Sequence, residues 1–261
     1  MGILNVTPDS FSDGGLHWDV GRAVASGLQM IADGAAILDI GGESTRPGAA
    51  PVPLEEELRR VVPVVTRLVG GGVPLSVDTR NATVMSAALD AGATVVNDVS
   101  ALRHDPASLP LVAARGCPVV LMHMRGTPET MGSLTHYSDV AAEVAAELGA
   151  CVVRAEAAGV RRINIAVDPG IGFAKTTEGN VALLRGLAML HSLGCPILVG
   201  VSRKTFISAL SGTSDAVRRD AGSIAAGLYA LSQGACILRV HDVAATVQAV
   251  RVWHGLTGYR V

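Results

Sequence analysis

Eight short apolar runs in this chain each end in polar or charged side chains, and the chemistry of those side chains changes from run to run. In chain order, the run ends carry Asn5, Asp39 with Glu43, Asp78, Asn97 with Asp98, His123, Asp168, Ser202 with Arg203 and Lys204, and Arg239 with His241 and Asp242. Each has a structural explanation when taken alone, because an Asp after a strand often caps the next helix. Independent caps would not need this mixture of amides, acids and cations. The set therefore predicts one functional site built from the run ends.

The mixture divides into two groups with different ligand chemistry. Carboxylates, an amide and an ammonium suit the hydrogen-bonding edge of a planar nitrogen heterocycle, and they come from Asp78, Asn97, Asp168 and Lys204. Donors that suit a phosphate or diphosphate come from Asn5, Thr45, Arg46, Arg239 and His241. The stretch 44–48, STRPG, has the composition of an anion-binding loop. The sequence thus predicts a ring pocket beside an anion pocket.

A loop rich in Asp, Ser and Gly follows the first apolar run. It carries Asp9, Ser10, Ser12 and Asp13, with the aromatic Phe11 among them. A solvated turn explains the polar residues, but it does not explain a large apolar ring between serines. We therefore expect this loop to take part in the site.

The elements that must position these residues repeat along the chain. A helix-like stretch, a glycine and a short apolar run recur, and the glycines that should end helices are Gly34, Gly92, Gly116, Gly159, Gly194 and Gly234. Amphipathic spacing predicts helices over 54–68, 81–91, 140–158, 180–190 and 221–231. Eight strands alternating with helices predict an α/β fold, a (β/α)₈ TIM barrel, as a single domain over residues 1–261. An open doubly wound sheet is the alternative, weakened because no GxGxxG follows the first strand.

Composition limits the partners and the compartment. The 261 residues are 49% hydrophobic and 17% charged with a net charge of −2, so neither nucleic acid nor an anionic membrane is expected as a partner. No apolar stretch is long enough to span a bilayer, and no signal peptide can be read at the amino terminus. The four cysteines are far apart and lack metal-site spacing. We expect a cytoplasmic, reduced protein.

Several segments resemble, in order, those of one enzyme family. They are NVTPDSFSDGG, STRPGA, SVDT, NDVS, DPGIGF, SRK with a following hydroxyl, and RVHDV. On these motifs the chain resembles the dihydropteroate synthases from residue 1 to about residue 250. The resemblance implies a (β/α)₈ barrel, usually a homodimer, that joins 7,8-dihydropterin-6-ylmethyl diphosphate to para-aminobenzoate and releases diphosphate. It also implies Mg²⁺ beside the diphosphate and inhibition by sulfonamide drugs.

The resemblance implies a role for individual residues. It puts the pterin among Asp78, Asn97, Met122, Asp168 and Lys204. It puts the diphosphate against Asn5, Thr45, Arg46, Arg239 and His241, with Asn5 and Asp13 reaching Mg²⁺. For para-aminobenzoate it implies apolar walls formed by Phe11, Pro47 and Phe173. It also implies that the hydroxyl of Thr205, at a helix N-terminus, binds the carboxylate.

The implied chemistry needs no protein nucleophile. Ionisation at the pterin methylene leaves a cation delocalised into the ring, and the leaving diphosphate gains negative charge. The expected catalytic residues are therefore the carboxylates and cations of both pockets: Asp78, Asp168, Lys204, Arg239 and His241. A corrinoid-dependent methyltransferase and a catalytically silent pterin-binding relative are the alternatives. Departures from the family pattern are Ala174, Gly179 and Thr205, where Gly, His and Ser are usual.

Overall fold

The apolar runs form parallel strands that close into a barrel. The computed structural model describes residues 1–7, 20–44 and 51–258. Its strands are β1 (Gly2–Asn5), β2 (Leu38–Gly41), β3 (Leu75–Asp78), β4 (Val95–Asp98), β5 (Val119–Met122), β6 (Ile165–Asp168), β7 (Leu198–Val199) and β8 (Ile237–Leu238). Strands β1 to β6 pair in sequence order, and β7 pairs with β8. Bridges from Val167 to Ile197 and from Gly2 to Val240 join the two sheets at both edges, so the barrel is closed.

Helices connect the strands along the outside of the barrel. Within the described ranges they are α1 (Val20–Ala32), α2 (Leu54–Leu68), α3 (Ala82–Asp90), α4 (Ser108–Arg115), α5 (Val140–Ala157), α6 (Thr177–Arg185), α7 (Thr205–Ser211), α8 (Asp220–Ser232) and α9 (Val243–Thr257). Two helices, α7 and α8, follow β7. The TIM-barrel prediction is confirmed. Among the residues with described coordinates, no helix has both the length and the apolar character needed to cross a bilayer.

The predicted helices agree with the observed ones except after β6. Helix α2 has the predicted bounds, α5 ends one residue before its predicted end, and α3 and α8 each differ from their predicted ranges by one residue at both ends. The predicted helix 180–190 is wrong at both ends, because α6 begins at Thr177 and a 3₁₀ helix, Leu187–Leu193, follows it. The Thr176 hydroxyl accepts a hydrogen bond from the backbone N–H of Gly179 and so starts the helix ahead of the apolar pattern.

The strands have continuous apolar sequences because both of their faces are buried in the core. Leu38, Ile40, Val77 and Val96 are fully buried, because helices cover the outer face and neighbouring strands fill the barrel. Each such side chain contributes roughly 1.5–3 kcal/mol through its burial. All six glycines predicted to end helices have positive φ, from 62° at Gly116 to 112° at Gly92. The result is a rigid frame that holds the polar strand ends.

Candidate functional site

Strand register places the predicted site residues along one rim of the barrel. Asn5 lies opposite Gly41, which lies opposite Asp78. Asp78 in turn lies opposite Asn97. On the other side of the barrel, Met122 lies opposite Asp168. These residues all belong to the carboxyl ends of their strands, the rim on which TIM barrels carry their active sites.

Arg239 joins four strands through a network of hydrogen bonds. Its Nε donates to Asp39 Oδ2 at 2.6 Å, and its Nη2 donates to Asp78 Oδ2 at 2.6 Å. Asn97 Nδ2 donates to the same oxygen of Asp39 at 2.9 Å. Asp39 therefore orients both Arg239 and Asn97. Asp39 ends an apolar run in the sequence, but nothing in the sequence indicates this orienting role.

Two buried carboxylates share this one guanidinium. Burial raises the pKa of Asp78 to about 7, although Arg239 opposes the shift. Burial alone would lower the pKa of Arg239, but the charges of Asp39 and Asp78 raise it above its usual range. Asp39 Oδ1 is buried and has no hydrogen-bond partner among the described residues. When both carboxylates are ionised, the cluster carries net negative charge and favours a cationic or donor-rich ligand.

Asp168 and Lys204 form a second charged pair across the rim. The Asp168 carboxylate is 7% exposed and accepts from the backbone N–H of Gly170 at 2.7 Å. Burial raises its pKa, and Lys204 opposes the rise. Burial likewise lowers the pKa of Lys204 to about 8, and Asp168 opposes that change. Lys204 Nζ donates to the backbone oxygen of Ile171.

An apolar wall adjoins this pair. Met122 is 4% exposed and packs in a cluster with Val99, Met124, Met131 and Ala174, against which Phe173 is partly buried. The ring of Phe173 lies 4.5 Å from Lys204 Nζ. Asp168, Lys204, Met122 and Phe173 thus lie close together on this part of the rim. The predicted residue Thr205 begins α7, directly after Lys204, and is exposed.

The described members of the anion group lie where β8 meets β1. The backbone N–H of His241 donates to Ser202 Oγ at 3.2 Å, and His241 Nδ1 lies 2.9 Å from the same oxygen. Ser202 therefore fixes the imidazole. Asn5 ends β1, which the bridge to Val240 places beside this segment. The rim thus brings Asn5, Arg239 and His241 to adjacent strands.

Other predicted residues lie outside the described ranges or have structural roles. Phe11, Asp13, Thr45, Arg46 and Pro47 are outside the described residues. Asp98 accepts from the backbone N–H groups of Ser100 and Leu102, and Asp242 caps α9, so both stabilise local backbone. Arg203 forms a bidentate pair with Asp220 of α8 at 2.8 and 2.9 Å.

Lys175 is a buried residue of this rim that the motifs in the sequence did not predict. It is 8% exposed, and its Nζ lies 3.0 Å from His123 Nδ1. Burial lowers its pKa to about 7, although Asp168 opposes the shift. One sequence signal was present: the chain has only two lysines, Lys175 and Lys204, against 19 arginines. Both lysines belong to this rim.

Comparison with known proteins identifies the family of this chain. Residues 1–241 match the family described as pterin binding enzyme. A dihydropteroate synthase from Mycobacterium leprae is 49% identical over 97% of this chain and 91% of its own length.

Solved structures give the same result. The Xanthomonas albilineans dihydropteroate synthase with 4-aminobenzoic acid has a TM-score of 0.93 and 53% identity, over 100% of this chain and 93% of that chain. The same enzyme with 7,8-dihydropteroate has a TM-score of 0.90, 50% identity and coverages of 100% and 94%. The Yersinia pestis synthase with a sulfonamide drug has a TM-score of 0.93, 43% identity and coverages of 99% and 94%. The chain therefore belongs to the pterin-binding enzyme family, and within it to the dihydropteroate synthases.

Proposed function

We propose that this chain condenses 7,8-dihydropterin-6-ylmethyl diphosphate with para-aminobenzoate to give 7,8-dihydropteroate and diphosphate, a step of folate synthesis. The observation that carries this proposal is the rim itself, where a buried acid, amide and lysine pocket adjoins the anion-binding ends of β8 and β1. In their structures, relatives of this chain hold 4-aminobenzoic acid and 7,8-dihydropteroate. The ring pocket fits the pterin and the anion pocket fits the diphosphate, so together they match the two halves of the first substrate.

The pterin ring occupies the pocket formed by Asp78, Asn97, Met122, Asp168 and Lys204. Carboxylates accept from the ring and exocyclic N–H groups, and Lys204 donates to the ring carbonyl oxygen or nitrogen atoms. When the methylene carbon loses its diphosphate, positive charge spreads into the ring. The carboxylates of Asp78 and Asp168 stabilise that charge without moving, because hydrogen bonds already fix both side chains.

The diphosphate lies against Asn5, Thr45, Arg46, Arg239 and His241. Arg239 uses Nε and Nη2 for Asp39 and Asp78, and no described residue bonds Nη1, which is therefore the nitrogen we assign to the leaving group. Asn5 and Asp13 would hold Mg²⁺ beside the diphosphate, where the ion would neutralise part of the leaving-group charge. An amide and a carboxylate oxygen fit this ion, because Mg²⁺ takes few protein ligands and keeps several waters.

Para-aminobenzoate lies between Phe11, Pro47 and Phe173, with its carboxylate toward Thr205. The half-buried ring of Phe173 beside Lys204 supports this placement. The arylamine then attacks the methylene carbon, and no protein nucleophile takes part. Sulfonamides compete for the same position, in line with the drug complex of the Yersinia pestis relative.

The direct test is to incubate the protein with the pterin diphosphate, para-aminobenzoate and Mg²⁺. Dihydropteroate and one equivalent of diphosphate are expected, and omission of the arylamine should prevent product formation. Release of diphosphate without dihydropteroate would contradict the proposal. Transfer of a methyl group from a methylated pterin to a corrinoid would instead support the methyltransferase alternative.

We also propose that the chain forms a homodimer through its C-terminal helices. Exposed apolar side chains lie on α7, α8 and α9, at Leu210, Tyr229, Val252 and Leu256, and α8 packs against both neighbours. The paired change Val252→Glu and Leu256→Glu should give a monomer by light scattering. Ile163→Glu is the matched control, since Ile163 is exposed elsewhere, in the 3₁₀ helix after α5. A dimer that survives the paired change would contradict this interface.

A cytoplasmic location is part of the same proposal. Cys117, Cys151, Cys195 and Cys236 are all free thiols. Free thiols are typical of reducing compartments, which supports this location. Fractionation of the native cells would test it.

A further inference from the structure

A buried lysine that the proposed chemistry does not use holds the loop after β6, residues 169–174. Lys175 Nζ donates to the backbone oxygens of Gly170, at 3.0 Å, and Phe173, at 2.9 Å. It also lies 3.0 Å from His123 Nδ1. Three acceptors thus surround a group that has three N–H bonds when protonated. All hydrogen bonds of this ammonium are used inside the protein.

His123 extends this contact to helix α5. Its Nε2 lies 3.0 Å from Glu147 Oε2, and the residue is 2% exposed. Because Nδ1 faces an ammonium and must accept, the ring proton belongs on Nε2, which donates to Glu147. Arg125 Nε donates to the other carboxylate oxygen of Glu147 at 3.0 Å. The hydrogen bonds therefore fix the orientation of His123 from both sides.

The loop needs such support because it is tightly packed and holds one residue, Ala174, in a strained backbone conformation. Gly170, Gly172 and Ala174 have φ values of 68°, 83° and 49°. A β-carbon at Gly170 would come within 1.9 Å of the backbone oxygen of His123, so the loop lies directly on that residue. A positive φ at Ala174 is unfavourable for a residue with a β-carbon. Hydrogen bonds from Lys175 stabilise this conformation.

Two functional residues of this region depend on Lys175 to different degrees. Asp168 belongs to β6, and its backbone oxygen accepts from the N–H of His123 at 2.9 Å. Phe173 lies at the far end of the loop, where Lys175 bonds its backbone oxygen. Loss of the ammonium should therefore displace Phe173 more than Asp168.

We propose that Lys175, oriented by His123, is a positioning residue that sets the Phe173 wall of the para-aminobenzoate site. The inference rests on the proposed function, since it assumes that Phe173 faces the second substrate. Lys175 then serves binding of the arylamine rather than binding of the pterin. A lysine that only stabilised the fold would affect both substrates alike.

The test is steady-state kinetics of Lys175→Met, which keeps the aliphatic stem and removes the ammonium. The KM for para-aminobenzoate is expected to rise roughly tenfold or more, while the KM for the pterin diphosphate changes less than about threefold. Arg115→Met is the control, because it also removes one cation but from an exposed pair with Asp90. It should match the wild type in both KM values.

Two substitutions of His123 test the same contact with Lys175 left in place. His123→Asn keeps an acceptor near the Nδ1 position, so its KM for para-aminobenzoate should stay close to the wild-type value. His123→Leu keeps none and should behave like Lys175→Met. This pair also decides the matter if Lys175→Met does not fold, which thermal melting would reveal.

Each outcome bears on the inference or on the proposed function. Equal changes in the two KM values, or no change in a folded variant, would overturn the positioning role. The positioning role would also be overturned if His123→Asn and His123→Leu had the same KM for para-aminobenzoate. A wild-type protein that makes no dihydropteroate would instead overturn the proposed function itself, and the inference with it.

Discussion

Asp168 is the residue on which the pterin assignment most directly depends. Asp168→Asn keeps an oxygen for the Gly170 N–H but removes the charge, so the fold should persist. Losing one charged acceptor should weaken pterin binding by about 1.5–3 kcal/mol. Calorimetry with a pterin that lacks the diphosphate measures this change. An unchanged affinity would mean that Asp168 does not contact the ring.

Ala174 departs from the family pattern, and its conformation shows what the departure costs. Its φ of 49° costs an alanine about 1–2 kcal/mol. Ala174→Gly relieves this strain, but it also loses a buried methyl group and loosens the unfolded chain. The free energy of unfolding in urea should therefore change by less than about 1 kcal/mol. A loss above about 2 kcal/mol would show that packing of the methyl group dominates.

Asp78 and Lys204 predict a bell-shaped pH dependence of kcat/KM for the pterin substrate. Burial raises the pKa of Asp78 to about 7, so the carboxylate loses its charge, and activity should fall, below that pH. Burial lowers the pKa of Lys204 to about 8, so the ammonium loses its charge, and activity should fall, above that pH. Lys204→Arg keeps the charge and should remove only the alkaline limb. A flat profile would contradict both roles.

Strand β8 and the residues after it combine stability with ligand binding, and two substitutions separate these contributions. Arg239→Met leaves Asp39 and Asp78 buried without their cation, which should cost about 3–5 kcal/mol of unfolding free energy as well as diphosphate affinity. His241→Ala should weaken diphosphate binding with little loss of stability. Denaturant melts and diphosphate calorimetry on both variants check this. If Arg239→Met and His241→Ala lost the same unfolding free energy, Arg239 would not stabilise the fold through Asp39 and Asp78 as described.

Local elements could be predicted from the sequence because their signals are local. Helix α2 follows directly from amphipathic spacing, and the strands follow from short apolar runs that end in polar residues. The contacts inside the site could not be predicted in this way. Arg239 and Asp39 are 200 positions apart, and Lys175 and His123 are 52 apart. No spacing rule joins such pairs, so the orienting roles of Asp39 and Lys175 emerged only from the fold.

For the whole molecule, the repeated strand and helix pattern was enough to predict the closed barrel and the rim that carries the site. The contributions of Phe11, Asp13, Thr45, Arg46 and Pro47 stay predictions, since these residues lie outside the described ranges. Their assigned roles rest on residue chemistry and on the family resemblance.

Those assignments predict an order of binding for the whole enzyme. We expect Mg²⁺ and diphosphate to draw Asp13 and Arg46 to the rim, which completes the wall of Phe11 and Pro47 around para-aminobenzoate. By linkage, each ligand should strengthen binding of the other by the same factor. Calorimetry with para-aminobenzoate, with and without Mg²⁺ and diphosphate, measures that factor. Equal affinities in both titrations would rule out this coupling.

The confinement of lysine to the rim has a practical consequence for labelling. Apart from a terminal amine, a dye or biotin ester finds only Lys175 and Lys204 to acylate, and both lysines belong to the rim. Attachment through amines would therefore modify the substrate pocket. Cys236 is an exposed free thiol just before β8, at the opposite end of the barrel. Immobilisation on a sensor surface should use that thiol, which leaves the catalytic rim open to solution.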